Sequence, residues 1–241
     1  MEKLQYLCWG DAADPHAVVK TLLRQGPVGL SAQLDDADAR VPVPLPPPAD
    51  DPTPSALFSI WLDRYDDRGP YEALLDDAYD EVDGYLVTES LYTDYGGNRW
   101  GRPRDWPDGE RSPGVVMVTL LEKPERMSFE DWIAHWHGVQ SPVSERLQPR
   151  MRYVRNAVAR PVTPGARPYL GIVEEAWPSA EHVTDPMLFY CADGDAEKMQ
   201  AHLNEMLASV TGFLELDRIR SFTTSEYLVR TPPWARTPAK R

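Results

Sequence analysis

Residues 128–156 read SFEDWIAHWHGVQSPVSERLQPRMRYVRN. The stretch predicts one amphipathic helix, a stop at Ser141-Pro142 and a strand that begins near Met151. Ser128 stands where a helix N-cap belongs, and Asp131 follows three residues later, as in a capping box. Advancing about 100° per residue from Trp132 gathers Phe129, Trp132, Ile133, Trp136 and Val139 within roughly 120°. Gln140 falls inside that apolar arc, with His135 and His137 on opposite flanks. Residues two apart on a helix do not face each other, so the two histidines are not expected to chelate one metal.

Working outward, the chain gives nearly the same order of elements twice. Strands are expected at Leu4–Trp9, Val28–Leu34, Ala56–Leu62 and Tyr85–Tyr95. Helices start at Asp14-Pro15, with Asp as N-cap and Pro in the first turn, and run over Tyr71–Val82. The second half repeats the plan. Its strands are Val115–Leu121, Met151–Val158, Tyr169–Ala176 and Arg218–Val229, and its helices are the one at Ser128 and a second over Ala196–Val210. The last strands of the halves share a short likeness, VTES at 87–90 and TTSE at 223–226. Each half thus has the β-α-β-β-α-β order of a ferredoxin-like unit. Two sheets covered by helices on one face can close their other faces on each other. The expected fold is α+β, two tandem ferredoxin-like (βαββαβ) halves forming a single-chain dimeric α/β barrel.

The boundaries follow from composition. Residues 1–95 form the first half, and 115–229 the second. GGNRWGRPRDWPDGERSPG (96–114) reads as a linker. VPVPLPPPADDPTP (41–54) can be neither helix nor central strand. It is expected as an extended excursion, with a polyproline spacer favoured over a lid across a cavity. The tail 230–241 carries four bases and is expected to be flexible, with Trp234 the one candidate to dock.

Composition excludes several function classes. The 241 residues are 42% hydrophobic and 26% charged, as in ordinary globular proteins. Residues 1–114 hold 22 acids against 10 bases, and the whole chain carries a net charge of −13, which repels phosphate backbones. No nucleic-acid partner is expected. No apolar run approaches a membrane span and no leader is visible, so a cytoplasmic protein without a membrane partner is expected. Cys8 and Cys191 read as reduced thiols.

The chemistry-bearing candidates cluster in the second half. An amide on a buried face must find partners, so Gln140 either bonds the helix end or holds a substrate oxygen. His137 and His135 are candidate proton shuttles. Tyr153 and Asn156 lie on opposite faces of the strand after the helix. Glu174 and Glu175 also alternate, and the one pointing inward is expected to have a raised pKa and to act as a base, unless Arg152 or Arg155 pairs with it. Trp132 and Trp136 are candidate aromatic walls for a ligand. The first half has no such helix face, so the pocket is expected in the second.

Lys123-Pro124, Met127-Ser128-Phe129-Glu130-Asp131-Trp132, His135-Trp136, Ser141-Pro142-Val143 and Tyr153-Val154-Arg155-Asn156 resemble the EthD family of the dimeric α/β-barrel superfamily. The resemblance covers about residues 114–229. It departs at one place: the family usually has a histidine just before its small-residue–Pro pair, and here Gln140 stands there. If that histidine is catalytic in the family, this chain has lost it or changed its chemistry, with His137 as a partial substitute. The resemblance implies work on a hydrophobic small molecule. The leading expectation is a cofactor-independent enzyme (lyase or dehydratase, cyclase or isomerase, or monooxygenase) on an aromatic or polyketide-like substrate. In that reading His137 or Glu174 moves a proton, while Gln140 and Asn156 orient an oxygen. Alternatives are a ligand-binding or accessory protein and, third, a haem protein with a histidine axial ligand. No other cofactor and no metal is expected. A homodimer of such pseudo-dimers is compatible with the plan.

Overall fold

A computed structural model describes residues 1–47 and 51–233. Eight strands close into an antiparallel barrel: β1 (Glu2–Trp9), β2 (Gly29–Leu34), β3 (Ala56–Leu62), β4 (Glu81–Thr93), β5 (Val115–Leu121), β6 (Arg152–Pro161), β7 (Gly171–Trp177) and β8 (Arg220–Arg230). Around the barrel the order is β1-β3-β2-β8-β5-β7-β6-β4. The helices are α1 (Pro15–Arg24), α2 (Gly69–Ala78), α3 (Phe129–His135), α4 (Ser141–Leu147), α5 (Glu181–Thr184), α6 (Pro186–Phe189) and α7 (Ala196–Phe213). Read within each half, the fourth strand lies beside the first, then the third, then the second. The halves join where β2 pairs with β8 and β4 with β6.

Most strands are buried on both faces, and alternation decides which side chains go where. Leu7, Tyr85, Val118, Ile172 and Phe222 point into the barrel. The outer face of the first half packs Leu4, Tyr6, Ile60 and Phe58 under Leu22 of α1 and Leu75 of α2. In the second half, Trp132, Trp136, Val173 and Phe213 form the matching cluster between sheet and helices. Helix starts follow the expected caps: Asp14 accepts from the Ala17 amide, and Ser128 Oγ accepts from the Asp131 amide while donating to its carboxylate. α7 runs a turn beyond Val210, and β4 starts four residues before Tyr85, so Val82 belongs to a strand and not to the helix before it.

The 128–156 stretch differs from its sequence reading at Ser141-Pro142, which does not stop the helix. A proline inside an α-helix clashes with the carbonyl four residues earlier. Here residues Trp136–Gln140 form a π turn, and the Trp136 carbonyl accepts both the Ser141 amide and, at 2.9 Å, the Ser141 hydroxyl. The wider turn accommodates Pro142 near the start of α4, and the helix continues to Leu147. It also breaks the 100° phase, so Val139 is turned outward (43% exposed); Phe129, in the first turn, is exposed as well.

The barrel interior contains a polar knot that the sequence did not reveal. Glu174 is buried at its centre. Its Oε1 accepts from Gln5 Nε2 (2.9 Å), Asn156 Nδ2 (3.0 Å) and Lys3 Nζ (3.4 Å), and its Oε2 from Gln33 Nε2 (2.6 Å). Lys3 also reaches Asn156 Oδ1 at 2.8 Å and Glu89 at 2.6 Å. Three of these donors come from the first half and the acceptor from the second, so the knot ties the halves together. Residues 234–241, including Trp234 and three bases of the expected flexible tail, lie outside the described residues; Arg230 ends β8. Both cysteines are free thiols, and no helix among the described residues is long and apolar enough to cross a membrane.

Removing one partner of a buried ion pair leaves the other charge uncompensated and costs about 3–5 kcal/mol. Lys3→Met is therefore expected to lower the unfolding free energy by that order, read as a lower denaturant midpoint at an unchanged m-value. Glu174 is held below its ordinary pKa of 4.5 although burial pushes it up, because Lys3, Arg152 and the Asn156 hydrogen bond favour the carboxylate. A depressed folded pKa contributes stability above the unfolded value that is lost as pH falls through the folded value. The acid-induced stability loss below about pH 4.5 is thus expected to be smaller in Glu174→Gln than in the parent. Parallel pH profiles would contradict this.

Candidate functional site

Strand alternation puts Met117, Thr119, Leu121, Tyr153, Val173, Glu175, Ser221 and Ile219 on or beside the outer face of the second half's sheet. There they form the floor of a cavity of about 510 Å³. Its far wall is α7, through Met199, Leu203, Met206, Leu207, Val210 and Phe213. Trp136 and Gln140 from the π turn close one side, Phe189 and Tyr190 another, and Gln148 follows α4. The volume lies in the range of small-molecule sites, and the walls are mostly apolar with a few polar groups.

The roof comes from the other half. Pro44 and Leu45 line the cavity, while Val41 and Val43 pack against the cluster of Met117, Trp177, Val183 and Phe189. The segment is latched to β8: the Val41 amide donates to Thr223 Oγ1 (3.2 Å), and that hydroxyl donates to the Val41 carbonyl (3.0 Å). The spacer reading of the proline-rich stretch therefore gives way to a wall-forming one for residues 41–45. Behind it, a second apolar space of about 340 Å³ shares Pro44, Pro186, Phe189 and Tyr190 with the first.

The polar end of the cavity is built around Glu175, the only carboxylate among its described lining residues. Glu175 is 9% exposed, and its Oε1 accepts from Arg150 Nη1 at 2.7 Å. Arg150 is fully buried; its guanidinium lies 3.9 Å over the Tyr153 ring, and Nη2 reaches Glu145 at 3.4 Å. Asn98, from the segment between the halves, donates to both Glu145 Oε1 (3.1 Å) and the Arg150 carbonyl (2.8 Å), fixing the loop that carries the arginine. Tyr153 is the cross-strand partner of Glu175. Its hydroxyl accepts from Trp136 Nε1 (3.1 Å) and lies 3.4 Å from Ser141 Oγ. Burial raises its pKa, with Arg150 pulling the other way, so the phenol stays protonated near neutrality. Gln140 Nε2 contacts Met206 Sδ at 3.4 Å, and its Oε1 has no hydrogen-bond partner. Gly171 permits the close fit beneath, because a Cβ there would sit 2.9 Å from the Trp136 ring.

Of the residues singled out from sequence, Gln140, Trp136 and Tyr153 meet at this cavity. Glu175, named from sequence only as the alternate of Glu174, joins them, whereas His135, His137, Trp132, Asn156 and Glu174 do not line it. Glu174 points into the barrel with a lowered pKa, opposite to the raised value expected of an inward carboxylate, because donors surround it. Asn156 lies beside it, bonded to the Ile172 carbonyl at 3.0 Å. Neither Arg152 nor Arg155 pairs directly with the cavity carboxylate; Arg152 bonds Glu226 (2.9 Å), and Arg155 bonds Ser141 and Ser90. Trp132 is fully buried against Trp136 and Phe213. His135 stacks on Phe213, and its Nε2 lies 2.9 Å from the Ser209 carbonyl, which makes Nε2 the protonated nitrogen. His137 packs edge-on against Trp136, and burial first, then Arg155, lowers its pKa. No histidine lines the cavity among the described residues, so the donor set does not fit a histidine-ligated haem iron. No three His, Cys, Asp or Glu side chains converge as metal ligands among the described residues either. Sequence reading named Glu175 only as the alternate of Glu174 and missed Arg150; the parity of β7 was the available signal.

No family profile and no curated protein matches the chain. Among solved structures it is similar to an anthrone oxidase-like protein, with 11% identity over 99% of this chain and 96% of that one and a TM-score of 0.50. It is also similar to two proteins provisionally named monooxygenases. One is from Lactobacillus acidophilus (10% identity, 93% and 92% covered, TM-score 0.47) and one from Fusobacterium nucleatum (8%, 95% and 91%, 0.44). At 11% identity the likeness to the first is one of fold, a closed antiparallel barrel with helices outside it.

Two net hydrogen bonds of about 1 kcal/mol each hold the roof at Thr223. Thr223→Val removes both at nearly constant volume. It is expected to speed the release of a cavity-bound aromatic molecule several-fold in stopped-flow measurements, while the melting temperature moves by only a few degrees. An unchanged release rate would show that the 41–45 segment does not control access.

Proposed function

We propose that this chain is an EthD-like small-molecule enzyme that works without a cofactor on an apolar aromatic or polyketide-like substrate held in the second-half cavity. The repeated strand order supports reading it as two tandem ferredoxin-like halves, 1–95 and 115–229, joined through 96–114. The fold likeness to barrel proteins with oxidase and monooxygenase names is compatible with such chemistry and does not select a reaction. The observation that carries the proposal is a single carboxylate, Glu175, set at the polar end of an apolar cavity and backed by a buried arginine.

In this reading Glu175 takes over the role expected of Glu174 or His137. A carboxylate in a water-poor site, oriented by one fixed hydrogen bond, can accept a proton from a substrate O–H or an activated C–H and return it at another atom. Gln140, Gln148 and the Tyr153 hydroxyl are placed to orient a substrate oxygen. Proton abstraction of this kind begins an isomerisation, a cyclisation, an elimination or the reaction of a carbanion with dioxygen. The second reading, a binding or accessory protein, is favoured by one observation: the position where the family usually has histidine carries Gln140, which cannot shuttle a proton at neutral pH.

Positioned general-base catalysis contributes about 10²–10⁴-fold. With hydroxylated anthrones and related polycyclic ketones as trial substrates, followed by chromatography and mass spectrometry, Glu175→Gln is expected to lower turnover by at least about 100-fold. Binding affinity should change only a few-fold. Turnover that survives the substitution would remove Glu175 from the reaction. Binding without turnover in the parent protein would support the accessory reading.

A further inference from the structure

The cavity's charge pattern is more specific than its size. Its described lining contains one carboxylate and no lysine, arginine or histidine. Arg150, which lies behind Glu175 and outside the lining, has both terminal nitrogens engaged, while its buried Nε has no partner. One nitrogen bonds Glu175, another faces Glu145, and the guanidinium face is covered by the Tyr153 ring. Two acceptors on lining residues lack donors, and one of them, Gln140 Oε1, is itself buried. Gln140 Oε1 has no partner, and Arg150, the one donor to Glu175 among the described residues, engages only its Oε1. The other ionisable lining groups, Tyr153 and Tyr190, have pKa values raised chiefly by burial and remain neutral phenols.

We infer that the cavity selects a neutral aromatic ligand that presents a hydroxyl donor to Glu175 and Gln140, and rejects a ligand whose polar end is a carboxylate or phosphate. The inference rests on the cavity being the ligand site proposed above. An anion entering this site loses its hydration, meets Glu175 and finds no cation among the described lining residues to pair with. A ligand cation fares little better, because Glu175 is already neutralised by Arg150. A neutral hydroxyl donates to Glu175 or to the unpartnered Gln140 Oε1, and the aromatic walls of Trp136, Phe189 and Phe213 hold the ring. The ligand reaching this protein must therefore come from chemistry that leaves a phenol or enol, with any acid group already removed or masked as an ester.

Equilibrium dialysis at pH 7 against four matched bicyclic probes tests this: naphthalene, 2-naphthol, 2-naphthoate and 2-naphthylmethylammonium. The expected order places 2-naphthol at least tenfold tighter than 2-naphthoate and tighter than both naphthalene and the ammonium. Gln140→Leu, at a half-exposed position where folding is not at risk, is expected to weaken 2-naphthol several-fold and to leave naphthalene unchanged. Glu175→Gln is expected to narrow the gap between naphthol and naphthoate at least tenfold, since it removes the repelling charge and frees Arg150. Equal binding of naphthol and naphthoate, or tightest binding of the ammonium, overturns the inference while leaving the cavity as the ligand site. Failure of all four probes to bind overturns the underlying site assignment instead.

Discussion

Two neighbouring carboxylates on one strand organise this molecule. Strand alternation sends Glu174 into the barrel and Glu175 to the helix-covered face, and each must find a positive partner or be expelled. Glu174 finds Lys3 and three amides, all but one of them more than 140 residues away in sequence. Glu175 finds Arg150 on the loop between α4 and β6. The first pairing fastens the halves of the barrel. The second leaves a polarised carboxylate at the edge of an apolar cavity. A slip of one residue in β7 would exchange their roles and undo both.

The cavity exists because the second half covers its sheet less completely than the first. In the first half, Tyr71, Leu75 and Tyr79 fill the space over the sheet. In the second, the π turn at Trp136–Gln140 and the lie of α7 leave that space open, and the proline-rich segment of the first half roofs it. Proline is suited to this role: its fixed φ lowers the entropy lost when an extended segment is pinned at a few points. The site is thus shared by the two halves, although most of its walls belong to one.

Much of this was legible in the sequence. The strand and helix order emerged from hydrophobic period, and the caps at Asp14 and Ser128 fixed two helix starts. Gln140, Trp136 and Tyr153 were identifiable as candidates because a polar or amphipathic residue on an apolar face is informative. What stayed hidden depends on contacts distant in sequence. The lowered pKa of Glu174 depends on donors in β1 and β2, which no local pattern reveals. Ser141-Pro142 reads as a stop because a regular α-helix cannot contain it; a π turn can, and the serine hydroxyl that supports the turn is visible only in three dimensions. The histidines drew attention as proton shuttles, yet His135 serves helix packing and His137 faces away from the cavity.

The central claim, that the space between the second-half sheet and α7 is where a ligand binds, can be tested with methyl-labelled methionine. Met117, Met199 and Met206 line the cavity, whereas Met151 packs inside the barrel. Titrating a bicyclic aromatic alcohol into protein carrying ¹³C-methyl methionine should shift the signals of Met117, Met199 and Met206 in one saturable step and leave Met151 in place. Saturable shifts at Met151 without those three, or no saturable shift at any methionine, would contradict the account.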